Sequence, residues 1–180
     1  INVKYSFKNG SHLQAGAVLR NMYYKDEVED KDRIVTGWGA SLSGIWQFAE
    51  NTSLCFQGVY GKGISNYIQD ISGTGLDLVP SATAEGKLKA FGAWGGYMGF
   101  SHNWNKVLTS NIMYSYARVL DRHGMPATSY KYAQYAAANL FWDFSEYGSC
   151  AIEYVFGRRN DFNKDYGNAS RINTMIQYRF

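Results

Sequence analysis

The last ten residues, RINTMIQYRF, alternate. Counting back from Phe180, the residues Tyr178, Ile176, Thr174 and Ile172 are apolar or small, and those between them, Arg179, Gln177, Asn173 and Arg171, are polar, with Met175 the exception. A period of two places the two sets on opposite faces of a β-strand. Such segments recur along the chain, while helical periodicity is weak. Strands are predicted near 1–8, 13–25, 33–49, 52–62, 87–102, 107–119, 130–142, 148–159 and 169–180. Several reach ten residues or more, which suits a tilted membrane-crossing strand better than the usual soluble one.

The connections have their own rhythm. NGSH, the turn at Glu50-Asn51, NWNK and DFSEY are tight, whereas KDEVEDKD, the stretch 63–86, DRHGMPATS and NDFNKDYGNA are longer and polar. Tight periplasmic turns alternating with longer extracellular loops describe an outer-membrane barrel. Greek-key sandwiches mix loop lengths at both ends. Aromatic residues also gather near predicted strand ends, at Tyr23, Tyr24, Trp46, Phe48, Phe100, Trp104, Phe141, Trp142, Phe144 and Tyr147, as in the girdles at lipid headgroup level. The fold class predicted is therefore all-β: an antiparallel transmembrane β-barrel in a single domain spanning 1–180, with about nine strands in this chain.

Composition agrees with that choice without forcing it. Aromatics make up 17% of the 180 residues, Tyr alone occurs 15 times, and Gly occurs 19 times against 2 Pro. Mean hydropathy is −0.35 and no stretch approaches a membrane helix, but a barrel hides its apolar face in alternation. A net charge of +3 without a compact basic cluster gives no sign of nucleic-acid binding. Cys55 and Cys150 fall on opposite faces, which argues against a disulfide. Ile1 falls inside an apparent strand with no secretory leader before it, which is read as processing or truncation.

The segments YSFKNGSHLQAGAVLRN, GWGASLSG, QGVYGKGISNYIQD, SHNWN and EYVFGRRNDFNKDYGNASRINTMIQYRF resemble the C-terminal half of the DcaP-like trimeric outer-membrane porins of Gram-negative bacteria. That resemblance implies a sixteen-stranded barrel, a homotrimer, passage of small anionic solutes such as dicarboxylates, and a terminal aromatic at the periplasmic rim used in assembly. Nine strands would put Ile1 at the extracellular end, whereas bacterial barrels have even strand numbers and periplasmic termini. The expectation is that N-terminal strands are missing; an eight-stranded barrel without 1–8 is the alternative.

In a pore the chemistry lies in wall charge. Turning the apolar sets outward leaves Lys4, Arg20, Lys89, Arg159, Arg171 and Arg179 facing inward, with Glu153 the one clear inward acid. An outward Arg or Lys at midplane would cost about 2–4 kcal/mol. Inward cations attract anions, and the Arg fork fits carboxylate or phosphate oxygens. The competing reading is that wall acids pair with these cations and merely brace the barrel, with Glu153 and Arg159 a possible pair. Tyr97, Gln57, Asn139 and Asn173 are inward polar candidates, for which wall filling is the better reading. Arg158 has outward parity at a loop junction and suits a headgroup contact, with outer-membrane lipid the expected surroundings.

Other chemistries find little support. Gly61-Lys62-Gly63 lacks the context of a phosphate loop and reads as a bend near the rim. Asp26, Glu27, Glu29, Asp30 and Asp32 lack calcium-loop spacing and read as a solvated extracellular loop, with lipopolysaccharide-bridging cations the alternative. His12, His102 and His123 fall in separate connections, so neither a metal centre nor a Ser-His-Asp arrangement is indicated, and no cofactor is expected. The function expected is a passive channel. A barrel-embedded enzyme and a structural or adhesive barrel are the rivals.

Overall fold

In the computed structural model the described residues are 1–180 except Ala82, Glu85, Asp121 and His123, so the expectation for His123 lies outside them. The strands are β1 (Asn2–Ser6), β2 (His12–Asp26), β3 (Lys31–Ala49), β4 (Thr52–Lys62), β5 (Leu78–Pro80), β6 (Leu88–Ala90), β7 (Gly92–Asn103), β8 (Leu108–Val119), β9 (Tyr130–Asp143), β10 (Gly148–Asp161) and β11 (Tyr166–Tyr178). Nine of them form one antiparallel meander in the order β1-β2-β3-β4-β7-β8-β9-β10-β11, while β5 and β6 pair only with each other. The sheet is not closed: β1 and β11 are its two edges.

Parity sorts the sheet into two faces, as the alternation predicts. One is apolar and open, with Leu19 79%, Ile172 67% and Ile176 84% exposed. Soluble proteins do not leave so extended an apolar face uncovered. The opposite, more polar face carries the segment 63–91. The cysteines sit on opposite faces and both are free.

Three expectations need correction. The strand predicted at 87–102 is broken: Leu88–Ala90 belongs to the small β5–β6 hairpin, and the wall strand starts at Gly92. The polar connections expected at KDEVEDKD and NDFNKDYGNA are shorter than their composition suggests: strand runs to Asp26 and resumes at Lys31, and runs to Asp161 and resumes at Tyr166, leaving 27–30 and 162–165 as connections. The polar residues there follow hairpin pairing above the apolar band, which loop composition disguised. The stretch from 63 onward is not a plain surface loop either. Two short 3₁₀ turns, Ser65–Tyr67 and Gln69–Ile71, lay Ile64, Ile68 and Ile71 against the wall in a buried cluster with Val79, Phe91, Ala93, Ala117, Val119 and Tyr130.

Small wall residues make room for that segment. A Cβ on Gly39 would meet Ile64 at 2.9 Å, and one on Gly95 would meet Ile68 at 3.2 Å. Gly63 has a positive φ of 69°, a conformation glycine adopts without penalty, and this turns the chain back over the sheet. Its N–H donates to the Phe91 carbonyl at 2.7 Å, closing the base of the segment. The bend expected at Gly61-Lys62-Gly63 is thus real, and it starts an inward fold.

Candidate functional site

The polar face is built in rows, because directly paired residues in successive strands share a level. One row runs Lys4, Gln14, Ser43, Gln57, Tyr97, Ser115, Tyr135. Several of its members line a cavity of about 830 Å³ beneath the segment, together with Tyr67, Gln69 and Asp70. Gln57 and Tyr97 therefore sit where parity put them. A second row, nearer the tight turns, runs Gln47, Ser53, Ser101, Asn111, Asn139, Glu153, Asn173. Here the amide of Asn111 donates to Asn139 at 2.8 Å. The Glu153 carboxylate accepts from Asn139 at 3.3 Å and Asn173 at 2.9 Å.

The predicted charges do not form one cluster. Arg20 does face inward, but its Nη1 meets Asp77 of the segment at 2.9 Å and the Gly63 carbonyl at 3.2 Å. Asp77 also accepts from Ser65 at 2.7 Å, and the Arg20 guanidinium lies 5.7 Å from the Tyr67 ring centre. Arg20 is thus a clamp on the segment. Lys89 is not on the wall: it lies on β6, opposite Val79, in the hairpin. Arg159 pairs with Asp161 at 2.9 Å, not with Glu153, and approaches the Tyr130 ring. Lys4, Arg171 and Arg179 pair with no carboxylate among the described residues. Arg171 faces Val155 on the β11 edge, and Arg179 lies just past the end of β11 near Tyr147.

The pairing of Arg20 and the anchoring of the segment depend on residues that sequence reading passed over: Asp77, Ser65, Asp70 and Tyr130. Tyr130, buried at the start of β9, donates its hydroxyl to Asp70 and contacts the Ala117 carbonyl. A signal existed. Ile64, Ile68 and Ile71 recur at helical spacing inside what looked like a loop, which marks a segment with a face to bury. The acidic run has a structural role as well. Asp26 accepts from the backbone N–H of Val28 and Glu29 and pairs with Arg33 at 3.2 Å, while Glu29 meets Arg33, Lys31 and Lys87.

The apolar face carries aromatics at both ends. Toward the tight turns lie Trp46, Phe100, Trp142, Phe144, Tyr147, Tyr178 and Phe180, with edge contacts such as Phe7–Trp46 at 5.5 Å and Trp142–Phe144 at 5.8 Å. Tyr24, expected among the girdle residues, instead lies on the polar face, where its hydroxyl accepts from the Leu88 N–H. The other belt comprises Trp38, Tyr60, Trp94, Tyr116 and Tyr132, which sit within strands. Trp38 and Trp46 are eight residues apart, about 27 Å along the strand and about 21 Å along the membrane normal at a 40° tilt. That matches the apolar band of an outer-membrane barrel, about 25 Å tall.

An apolar band bounded by two aromatic belts, backed by a polar face, makes this sheet part of the wall of an outer-membrane β-barrel. The chain belongs to the DcaP outer membrane protein family, whose sequence profile matches residues 1–180, and its place is the outer membrane of a Gram-negative bacterium. The crystal structure of the outer membrane channel DcaP of Acinetobacter baumannii is similar in fold, with a TM-score of 0.78 at 20% identity, covering 99% of this chain and 50% of that one. The chain thus spans about half the length of that channel. The NanC porin matches more weakly, with a TM-score of 0.48 at 12% identity over 99% of this chain and 91% of the other. No curated protein matches the chain.

Proposed function

We propose that this chain builds part of the wall of a passive channel for small solutes, with a preference for anions of dicarboxylate size. The wall is one domain. Unpaired strand edges are not tolerated in hydrocarbon, so β1 and β11 must be joined by further strands. The end bearing segment 63–91 faces outward, the assembly is a homotrimer, and lipid and lipopolysaccharide surround it. The observation that carries the reading is the polar face. Lys4, Arg171 and Arg179, on or beside the edge strands, have no carboxylate partner among the described residues, and Glu153, diagonal to Arg171, is held by two amides. Unpaired cations on a low-dielectric wall draw anions into the lumen.

The test is planar-bilayer recording of the intact protein under a salt gradient. Steady conductance with a reversal potential on the anion side is the expected result. No conductance would remove the channel reading, and a cation-side potential would remove the anion preference alone.

A further inference from the structure

Two arginines lie on the wrong face for a channel. Arg118 on β8 and Arg158 on β10 both share parity with the apolar, lipid-facing set, at the end that bears segment 63–91. Neither has a carboxylate partner among the described residues. Arg118 stands between Trp94 and Tyr132, its paired neighbours, and its Nε is buried without a hydrogen-bond acceptor. Donors so placed are satisfied in nearly all proteins, so an acceptor from outside the chain is called for. Arg158 is held differently. Its guanidinium lies 4.2 Å from the Tyr166 ring centre and its Nε donates to buried Asn160 at 3.1 Å, which fixes the fork and leaves its terminal nitrogens to bind.

Gln134 completes the geometry on the intervening strand. It pairs with Arg158 in register, and its amide oxygen accepts from the Tyr114 hydroxyl at 3.2 Å, so its NH₂ is left as a donor. From strand spacing and rise, Arg118 and Arg158 lie about 12 Å apart across β9. We propose that Arg118, Gln134 and Arg158 form a site for the phosphate groups of an outer-leaflet glycolipid, with Tyr132 and Tyr166 beside its sugar. Solutes in the lumen cannot reach this face, and phospholipid or glycolipid phosphates lie at the level of the aromatic belt. Arg matches phosphate through two parallel hydrogen bonds. The inference gives a place to the lipopolysaccharide partner named above, and it does not depend on conduction.

The intact protein in mild detergent is mixed with a bis-phosphorylated glucosamine lipid, the same lipid after phosphatase treatment, a phospholipid, or inorganic phosphate. Retention is read by native mass spectrometry. The wild-type protein should hold the bis-phosphorylated lipid, while the Arg118→Gln/Arg158→Gln variant should bind it at least about tenfold more weakly, the loss of one charge-assisted hydrogen bond or more. Equal retention by both proteins overturns the site. So does equal retention of the dephosphorylated lipid or the phospholipid, and so does full competition by inorganic phosphate, which would mean a site for free anions. If the variant does not fold, the comparison of lipids on wild type still decides. Bilayer conductance of the variant should match wild type, and a protein that binds the lipid but never conducts would fail only as a channel.

Discussion

Arg20 and Arg171 project from the same face of the same sheet, yet they have opposite surroundings. Arg20 lies under segment 63–91, its charge taken up by Asp77 and its flank by Tyr67. Arg171, on the edge strand β11, is paired in register with Val155, with Glu153 diagonal to it. The polar face is thus divided. One part is covered by an apolar-backed segment whose charges are spent on holding it, and on the other, at the β11 edge, Arg171 has no carboxylate partner among the described residues. Parity reports the direction of a side chain; its electrostatic effect depends on what else covers that part of the wall.

The strongest way to break this division is to evict the segment. Ile64 is completely buried against Gly39 and Val18. In Ile64→Asp an unpaired carboxylate would have to be desolvated at a cost of several kcal/mol, more than the local packing supplies. The segment should leave the wall while the surrounding ladder stays intact. Bilayer recordings should show a severalfold larger and noisier conductance, and protease should cut near 72–76 in the variant but not in wild type. An unchanged conductance would mean that the segment does not narrow the path.

A smaller effect compares the two halves directly. Arg171→Gln with Arg179→Gln should lower the anion-to-cation permeability ratio. Arg20→Gln with Lys89→Gln should change it less, because Arg20 is paired and Lys89 lies in the hairpin. Glu153→Gln should move the ratio the other way, since its carboxylate sits diagonal to Arg171, about 7–8 Å away between Cα atoms. All three shifts should shrink in molar salt, where the screening length falls to about 3 Å. If the Arg20 pair matters more than the Arg171 pair, the division is wrong.

Much of this was legible from alternation. Strand number, the two faces, and the inward parity of Arg20, Arg159 and Arg171 follow from a period of two, which the pleat enforces. What was not legible depends on contacts between distant segments. Nothing near Arg20 in sequence announces Asp77, 57 residues away. Lys89 was misplaced because the hairpin strand Leu88–Ala90 is separated from the wall strand by Phe91 alone, so two strands read as one. The outer aromatic belt was missed for a related reason. Trp38 and Tyr132 lie inside strands that continue beyond the membrane, so the end of a strand is not the end of the lipid.

The smallest expected effect concerns the far anchor of the segment. Tyr130 is 7% exposed, and its hydroxyl joins Asp70 of the segment to the Ala117 carbonyl of β8. In Tyr130→Phe the ring still fills its place beside Val119 and Ala133, so no cavity opens. Asp70 is exposed and regains water, so its charge is not stranded. The loss is then one charge-assisted hydrogen bond, about 1–2 kcal/mol, felt by the segment and not by the ladder. Urea unfolding of the barrel should therefore change little, while hydrogen exchange at the amides of Ile68 and Ile71 speeds up by about five- to thirtyfold. Conductance should fluctuate more without a larger mean. Asp70→Asn should reproduce the faster exchange only in part, because a neutral acceptor still takes the hydroxyl. If the ladder amides of β8 and β9 speed up equally in Tyr130→Phe, the hydroxyl braces the wall and the segment is anchored elsewhere.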